Sequence, residues 1–312
     1  MKLISATPQA SLARVGEADD RQVTVGLVQM HWTADAHEHL AILSDGVATA
    51  ASAGASVVFL PELTLSRYPA DTRPEDVPAA LTESLTDGPT HTFAAAAAAE
   101  HGVFVHASLY ERADAEDGLG FNTAILVGPD GRIVARTRKL HIPVTAGYYE
   151  DRYFRPGPAE SPYPVYPVDL PGAPRVGMPT CWDQWFPELA RAYSLADAEI
   201  LAYPTAIGSE PDHPDFDTQP LWQSVIVGNG IANGLFMVVP NRWGDEGLVS
   251  FYGSSFISDP YGRVLVQADR AGDVALVATL DLAQRRDWLD LFPFLETRRP
   301  DTYGSLVVKE QI

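Results

Sequence analysis

Three segments of this chain occur twice, in the same order, and that duplication limits the folds open to it. Thr24-Val25-Gly26-Leu27 returns as Arg175-Val176-Gly177-Met178. Ala55-Ser56-Val57-Val58-Phe59-Leu60-Pro61 returns as Ala198-Glu199-Ile200-Leu201-Ala202-Tyr203-Pro204. The hairpin Asn122-Thr123-Ala124-Ile125-Leu126-Val127, Pro129-Asp130-Gly131-Arg132, Ile133-Val134-Ala135 returns over residues 254–264, with proline, glycine and arginine again at the turn. Apolar, β-branched runs of this length read as buried strands. Leu40, Leu43, Val47 and Ala51 stand at helical spacing between the first two runs, and an alanine-rich helix over about 90–100 precedes a strand at 103–109. A strand–helix–strand–hairpin unit cannot close a core alone. Two such units predict an α/β fold in which two sheets pack face to face with helices outside.

Charge and cysteine usage narrow the function. Acidic residues outnumber basic ones 41 to 22, for a formal charge of -19. Such a surface repels phosphate backbones and anionic lipids, so neither a nucleic-acid nor a membrane partner is expected. Cys181 is the single cysteine, which excludes an intrachain disulfide and a multi-thiolate metal site and reads as a cytoplasmic protein. His101, His106 and His141 lack paired ligand spacing and read as surface groups or neighbours of a site, so no metal is expected. Residues 1–20 read as a polar, poorly ordered leader. Residues 21–284 read as one folded domain. Residues 285–312, with Trp288, Phe292, Phe294 and Tyr303, read as a tail that packs on that domain or on a neighbouring subunit.

Cys181 stands where the strand 175–178 ends, ahead of the helical start Pro187-Glu188-Leu189. Open α/β folds place their chemistry at such strand ends, and a helix N-terminus ahead of the thiol is expected to lower its pKa. Glu62 follows the strand ending Phe59-Leu60-Pro61, where desolvation raises a carboxyl toward the range of a general base. Lys139 leaves the far arm of the first hairpin. A thiol, a carboxylate and an ammonium at three strand ends suffice for acyl transfer: the carboxylate takes the thiol proton, the thiolate attacks, and the ammonium with a backbone N–H holds the oxyanion.

Leu60-Pro61-Glu62-Leu63, Arg138-Lys139-Leu140-His141-Ile142-Pro143 and Cys181-Trp182-Asp183-Gln184-Trp185-Phe186-Pro187-Glu188 resemble the three signature segments of the nitrilase (carbon–nitrogen hydrolase) superfamily, in its order and at its separations. The likeness extends through Gly147-Tyr148-Tyr149-Glu150, residues 203–211, Asn241-Arg242, residues 251–256 and Arg298-Arg299-Pro300-Asp301, and its wording is closest to the N-carbamoylputrescine amidase branch. The resemblance implies a four-layer α-β-β-α sandwich built from two similar halves, paired as a homodimer or larger homo-oligomer, without metal or cofactor. It implies Glu62 as base, Lys139 and the Trp182 N–H as oxyanion donors, Cys181 as nucleophile, and Glu150 as a second active-site glutamate.

By the same resemblance the substrate is a small amide or ureide. Relatives acting on N-carbamoyl amino acids carry arginine three residues after the cysteine, where it can grip a carboxylate; this chain has Gln184 and then Trp185, which disfavours an anionic substrate. The acidic stretch 209–217, beginning Ser209-Glu210, is expected to attract an amine-bearing, cationic tail. Tyr68, Trp182, Gln184, Trp185, Thr205 and Glu210 are the candidate substrate contacts. Val144, Met178-Pro179-Thr180 and the stretch 228–233 depart from the family's wording near the pocket. The expected reaction is cysteine-dependent hydrolysis of an N-carbamoyl amine to amine, CO2 and ammonia through a thioester; alternatives are an aliphatic amidase or a nitrilase with the same three residues, or a non-catalytic binding relative.

Overall fold

The computed structural model describes residues 1–17, 21–75 and 78–308. Along the chain run β1 (Lys2–Ala6), β2 (Gln22–Gln29), α1 (Ala36–Ser52), β3 (Val57–Phe59), α2 (Pro89–His101), β4 (Phe104–Glu111), β5 (Phe121–Val127) and β6 (Ile133–Arg138). There follow β7 (Tyr166–Pro167), β8 (Arg175–Gly177), α3 (Pro187–Leu195), β9 (Ile200–Ala202), α4 (Gln219–Asn233) and β10 (Phe236–Val239). The hairpin β11 (Trp243–Asp245) and β12 (Ser250–Tyr252), then β13 (Phe256–Ser258), β14 (Val264–Gln267), β15 (Val274–Asp281) and α5 (Ala283–Leu291) complete the order.

The duplication seen in the sequence is a duplication of topology. One sheet is ordered β1-β15-β2-β3-β4-β5-β6 and the other β14-β13-β10-β9-β8-β7. In the first, β2, β3 and β4 are parallel and β5 and β6 return antiparallel. In the second, β8, β9 and β10 are parallel and β13 and β14 return antiparallel. Gly26 and Gly177, equivalent in the two copies, share one physical reason. A Cβ on Gly26 would lie 2.8 Å from that of Ala50 in α1, and one on Gly177 would lie 2.5 Å from the Tyr193 ring in α3. Each first strand therefore carries glycine where its helix crosses closest.

Packing gives four layers. Val25, Leu27, Phe59 and Leu126 of one sheet meet Val176, Ile200, Phe236 and Ile257 of the other in a core between the sheets. Val28, Val58 and Val105 turn outward onto Leu43, Val47, Ala94 and Ala98 of α1 and α2. Leu201, Met237 and Val239 turn outward onto Leu189, Tyr193, Trp222 and Ile226 of α3 and α4. This is the expected α-β-β-α sandwich.

Both expected domain edges need correction. Residues 2–6 are a strand, parallel to β15 over Lys2↔Val274 to Ala6↔Ala278. They cover what would be the bare edge of an eight-residue strand, and Ile4 and Ala6 pack on the inter-sheet core. Arg14 then ties the following segment to Asp281 and Asp287 at 2.6 and 2.8 Å. Residues 18–20 of the expected leader lie outside the described residues. At the other end, α5 runs across the expected boundary at 284. Its buried Arg285 donates to the carbonyls of Ser194, Asn233 and Gly234, the C-termini of α3 and α4, where a cation is favoured. Among the described residues no helix is long and apolar enough to cross a membrane.

Candidate active site

The carboxyl ends of the parallel strands converge. Glu62 follows β3 and Ala206 follows β9. Cys181 follows β8 and opens a 3-10 turn, Cys181–Trp185, with φ at +41°. Lys139 follows β6, and Glu150 opens a single 3-10 turn, Glu150–Arg152. Glu62, Lys139 and Glu150 are each at most 1% exposed, a burial that charged groups tolerate only when paired and hydrogen-bonded.

They are paired. The Lys139 Nζ donates to Glu62 Oε1 at 2.9 Å and to both oxygens of Glu150, at 2.9 and 2.7 Å. Asn122 Nδ2 donates to Glu62 Oε1 at 2.7 Å, and the Ala206 N–H to Glu62 Oε2 at 2.9 Å. The Tyr68 hydroxyl donates to Glu150 Oε1 at 2.8 Å. The Cys181 thiol faces the carbonyl of Ala206 at 3.9 Å. One residue, Ala206, thus contacts the carboxylate through its N–H and the thiol through its carbonyl oxygen. The Trp182 amide, in the first turn after Cys181, has no carbonyl within that turn to receive it.

Electrostatics correct one expectation. Burial pushes the Cys181 thiol well above its ordinary pKa, the Glu62 charge adds to this, and Lys139 only partly opposes it. The expected lowering by a helix N-terminus fails because α3 starts at Pro187, with the 3-10 turn between it and the thiol. The resting sulfur is a thiol that needs a base. Burial also pulls the Lys139 ammonium down, but Glu150 and Glu62 outweigh it and hold the group above its usual value. Burial raises Glu150 to about 7 against the attraction of Lys139.

The structure thus brings together Glu62, Lys139, Glu150, Cys181 and Tyr68. Other candidates fare differently. The Thr205 hydroxyl donates to the carbonyl of Tyr203 at 2.8 Å and holds backbone. Gln184 is fully buried and its Oε1 accepts from Trp222 Nε1 at 2.9 Å, so this position presents a neutral amide fixed to α4. Trp182 and Trp185 are half-buried with rings 6.3 Å apart. Glu210 is half-buried and within electrostatic reach of Tyr148 and Tyr252, each of which is also within reach of Cys181. Asp212 and Asp215, in the same acidic loop, point to solvent. His106 is not a surface group: it is fully buried in β4, its ring 5.4 Å from that of Phe59.

Sequence reasoning missed Asn122, Asp183 and Glu246. Asp183 accepts from the N–H groups of Thr180 and His141 at 3.0 and 2.9 Å and from His141 Nδ1 at 2.7 Å, tying the cysteine turn to the loop after Lys139. An asparagine opening an apolar strand, and an acid two residues from a candidate nucleophile, were signals available in the sequence.

Comparisons with known proteins agree with this geometry. A family model described as carbon–nitrogen hydrolase matches residues 24–290. A citrullinase of Francisella tularensis is 35% identical over 294 residues, covering 92% of this chain and 99% of its own. An N-carbamoylputrescine amidase of Arabidopsis thaliana is 33% identical, covering 94% of this chain and 98% of its own. The crystal structure of a carbon–nitrogen hydrolase from Helicobacter pylori superposes with a TM-score of 0.81 at 29% identity, over 92% of this chain and 99% of that one.

Proposed function

The chain belongs to the carbon–nitrogen hydrolase family, and on that premise we propose that it is a cysteine-dependent amidohydrolase acting on the terminal ureido group of an amine-bearing substrate, as in N-carbamoylputrescine. The observation that carries this reading is the buried ammonium of Lys139 held between Glu62 and Glu150, beside a thiol whose backbone contact, Ala206, also donates its N–H to Glu62.

Glu62 takes the thiol proton as the sulfur attacks the ureido carbon. The negative charge that develops on the carbonyl oxygen is met by the Lys139 ammonium and the Trp182 N–H, donors fixed before the reaction and shielded from water. The proton returns to the departing nitrogen and ammonia leaves, with the carbonyl carbon held on sulfur as a thiocarbamate. Glu62 then deprotonates water, which cleaves that thioester. The carbamate formed loses CO2 and frees the amine. Glu150 and Tyr68 keep the ammonium aligned.

Two observations support a cationic tail. Gln184 supplies no positive charge for a carboxylate, and Glu210 is within electrostatic reach of Tyr148 and Tyr252, as the thiol is. A second reading, L-citrulline, is favoured by the 35% identity to the citrullinase of Francisella tularensis. Citrulline carries the same terminal ureido group and an ammonium that Glu210 would meet. The exposed apolar residues Leu306, Val307 and Val308 favour self-association as a homodimer, which light scattering tests. A single cysteine favours a cytoplasmic setting.

Ammonia release from N-carbamoylputrescine, L-citrulline, an ω-amide and a nitrile, assayed side by side, tests the substrate. The ureides should turn over fastest. Preferential turnover of the nitrile or the simple amide would overturn the substrate assignment, and full activity in Cys181→Ala would overturn the mechanism.

A further inference from the structure

A second buried ion pair stands behind the polar cluster, and the reaction does not use it directly. Arg242 is fully buried and Glu246 nearly so. Arg242 Nη1 donates to both oxygens of Glu246 at 2.7 Å. Its Nη2 donates to the carbonyls of Glu62, Leu63 and Ser66 at 2.8, 3.0 and 3.2 Å. Glu246 Oε2 in turn accepts the N–H of Tyr68 at 2.9 Å.

Three carbonyls converge on one nitrogen because the chain turns sharply after Glu62. Leu63 has φ at +49°, a left-handed conformation that costs a non-glycine residue roughly 1 kcal/mol or more and persists only where its surroundings hold it. The guanidinium holds its carbonyl side here, while the Ser108 hydroxyl accepts the Leu63 N–H at 3.1 Å. A planar fork serves two partners at once, which an ammonium does not. A buried ion pair is also a poor source of stability compared with apolar side chains of the same volume. What this pair provides is placement: Arg242 fixes the main chain of Glu62, and Glu246 fixes the main chain of Tyr68, whose hydroxyl meets Glu150. Both residues come from the second copy of the repeat, and both act on residues of the first.

We infer that Arg242 and Glu246 are positioning residues that set the aim of Glu62 and of the Tyr68–Glu150 contact, so that losing the pair lowers turnover while leaving substrate binding intact. This rests on the reading of the site as a cysteine amidohydrolase.

Glu246→Gln keeps shape and volume, and Arg242→Lys keeps the charge while losing the fork. In the full-length protein, each should lower kcat per folded molecule by about 10- to 100-fold, the scale of a small misplacement of reacting groups, with KM within about twofold. In Glu246→Gln the acid limb of the pH–rate profile should move to higher pH, because Glu150 loses an aligned donor that favours its ionised form. Tyr68→Phe should show the same displacement, and the double variant should add nothing to it, since Glu246 acts through Tyr68. A lower melting temperature with unchanged kcat per folded molecule and unchanged pH profile would make the pair a structural element and overturn the inference. Additive displacements in the double variant would overturn the route through Tyr68. Cys181→Ala measured beside them separates the two levels: undiminished hydrolysis there sinks the amidohydrolase reading, whereas a cysteine-dependent wild type with a normal Glu246→Gln sinks only this inference.

Discussion

The ammonium of Lys139 donates to both carboxylate oxygens of Glu150, at 2.9 and 2.7 Å, while burial holds the Glu150 pKa at about 7. The pair is therefore half-discharged near neutrality. Protonated Glu150 no longer offers Lys139 a carboxylate, so the aligned form is the one present above that pKa. Activity should fall as pH drops through about 7. Glu150→Gln should lower kcat by about 100-fold, the usual cost of losing one preorganised electrostatic contact, and should remove that acid limb. Profiles of kcat/KM from pH 5 to 9 check this. An acid limb unchanged in the variant would assign it to another group.

The buried thiol gives a second expectation. Burial and the neighbouring Glu62 both raise its pKa, so Cys181 should alkylate slowly with iodoacetamide at neutral pH, its rate still climbing past pH 9. The Glu62→Gln variant, lacking the base that takes the thiol proton as the sulfur attacks, should alkylate more slowly still at pH 8. A rate plateau below pH 8 in the wild type would mean a resting thiolate and would revive the helix-dipole account.

How much of this was legible in the sequence follows from how far each cause reaches along the chain. The repeat was legible because a buried strand is a local apolar run, and Gly26 and Gly177 mark the close helix crossing in both copies. Glu62, Lys139 and Cys181 stood out because a titratable residue at the end of such a run must be paired or functional. Arg242 was visible only as part of a motif, and Glu246 not at all, because their partners lie about 180 positions away. Thr205 enters the candidate contacts through the resemblance alone; its hydroxyl meets a carbonyl two residues back. The first residues were read as a leader from their polarity, which hid the strand that Leu3, Ile4 and Ala6 make along β15. The thiol was misjudged because spacing alone does not reveal the 3-10 turn that separates Cys181 from α3.

Gly177→Ala tests the repeat's packing logic. The added methyl would sit 2.5 Å from the Tyr193 ring and 2.7 Å from Leu201, and overpacking of this kind costs roughly 1–3 kcal/mol. Urea denaturation should show a loss of that size. A neutral substitution would mean that α3 slides on its sheet more freely than α1 does.

Of the acidic loop, Glu210 alone should discriminate substrates. Asp217 is engaged by Arg270 at 2.6 Å, and Asp212 and Asp215 face solvent, where screening leaves little attraction. Glu210→Gln should raise KM for N-carbamoylputrescine by about tenfold, equivalent to roughly 1.4 kcal/mol, and leave an uncharged alkylurea unaffected. The Asp212→Asn, Asp215→Asn pair should change neither. Equal effects of the two variants would show bulk attraction by the loop instead of a specific contact.

His106 makes the fold acid-sensitive independently of the active site. It is fully buried in β4, and burial lowers its pKa to about 3 against weaker backbone contacts from its own residue and Leu60. Unfolded, the imidazole titrates near 6.5. Between those values the unfolded chain binds the proton and the folded one does not, so stability rises with pH across that window. The neutral ring's contribution is complete above 6.5 and is lost as pH falls toward 3. The slope is about 1.4 kcal/mol per unit, so the wild type should lose roughly 2 kcal/mol from this residue between pH 6.5 and 5. His106→Leu keeps an apolar side chain against Phe59 and has no proton to bind. Its stability relative to wild type should improve by that amount over the same interval, read from denaturant midpoints at the two pH values. Equal pH dependence in the two proteins would mean that the imidazole already finds a partner for its proton in the folded core.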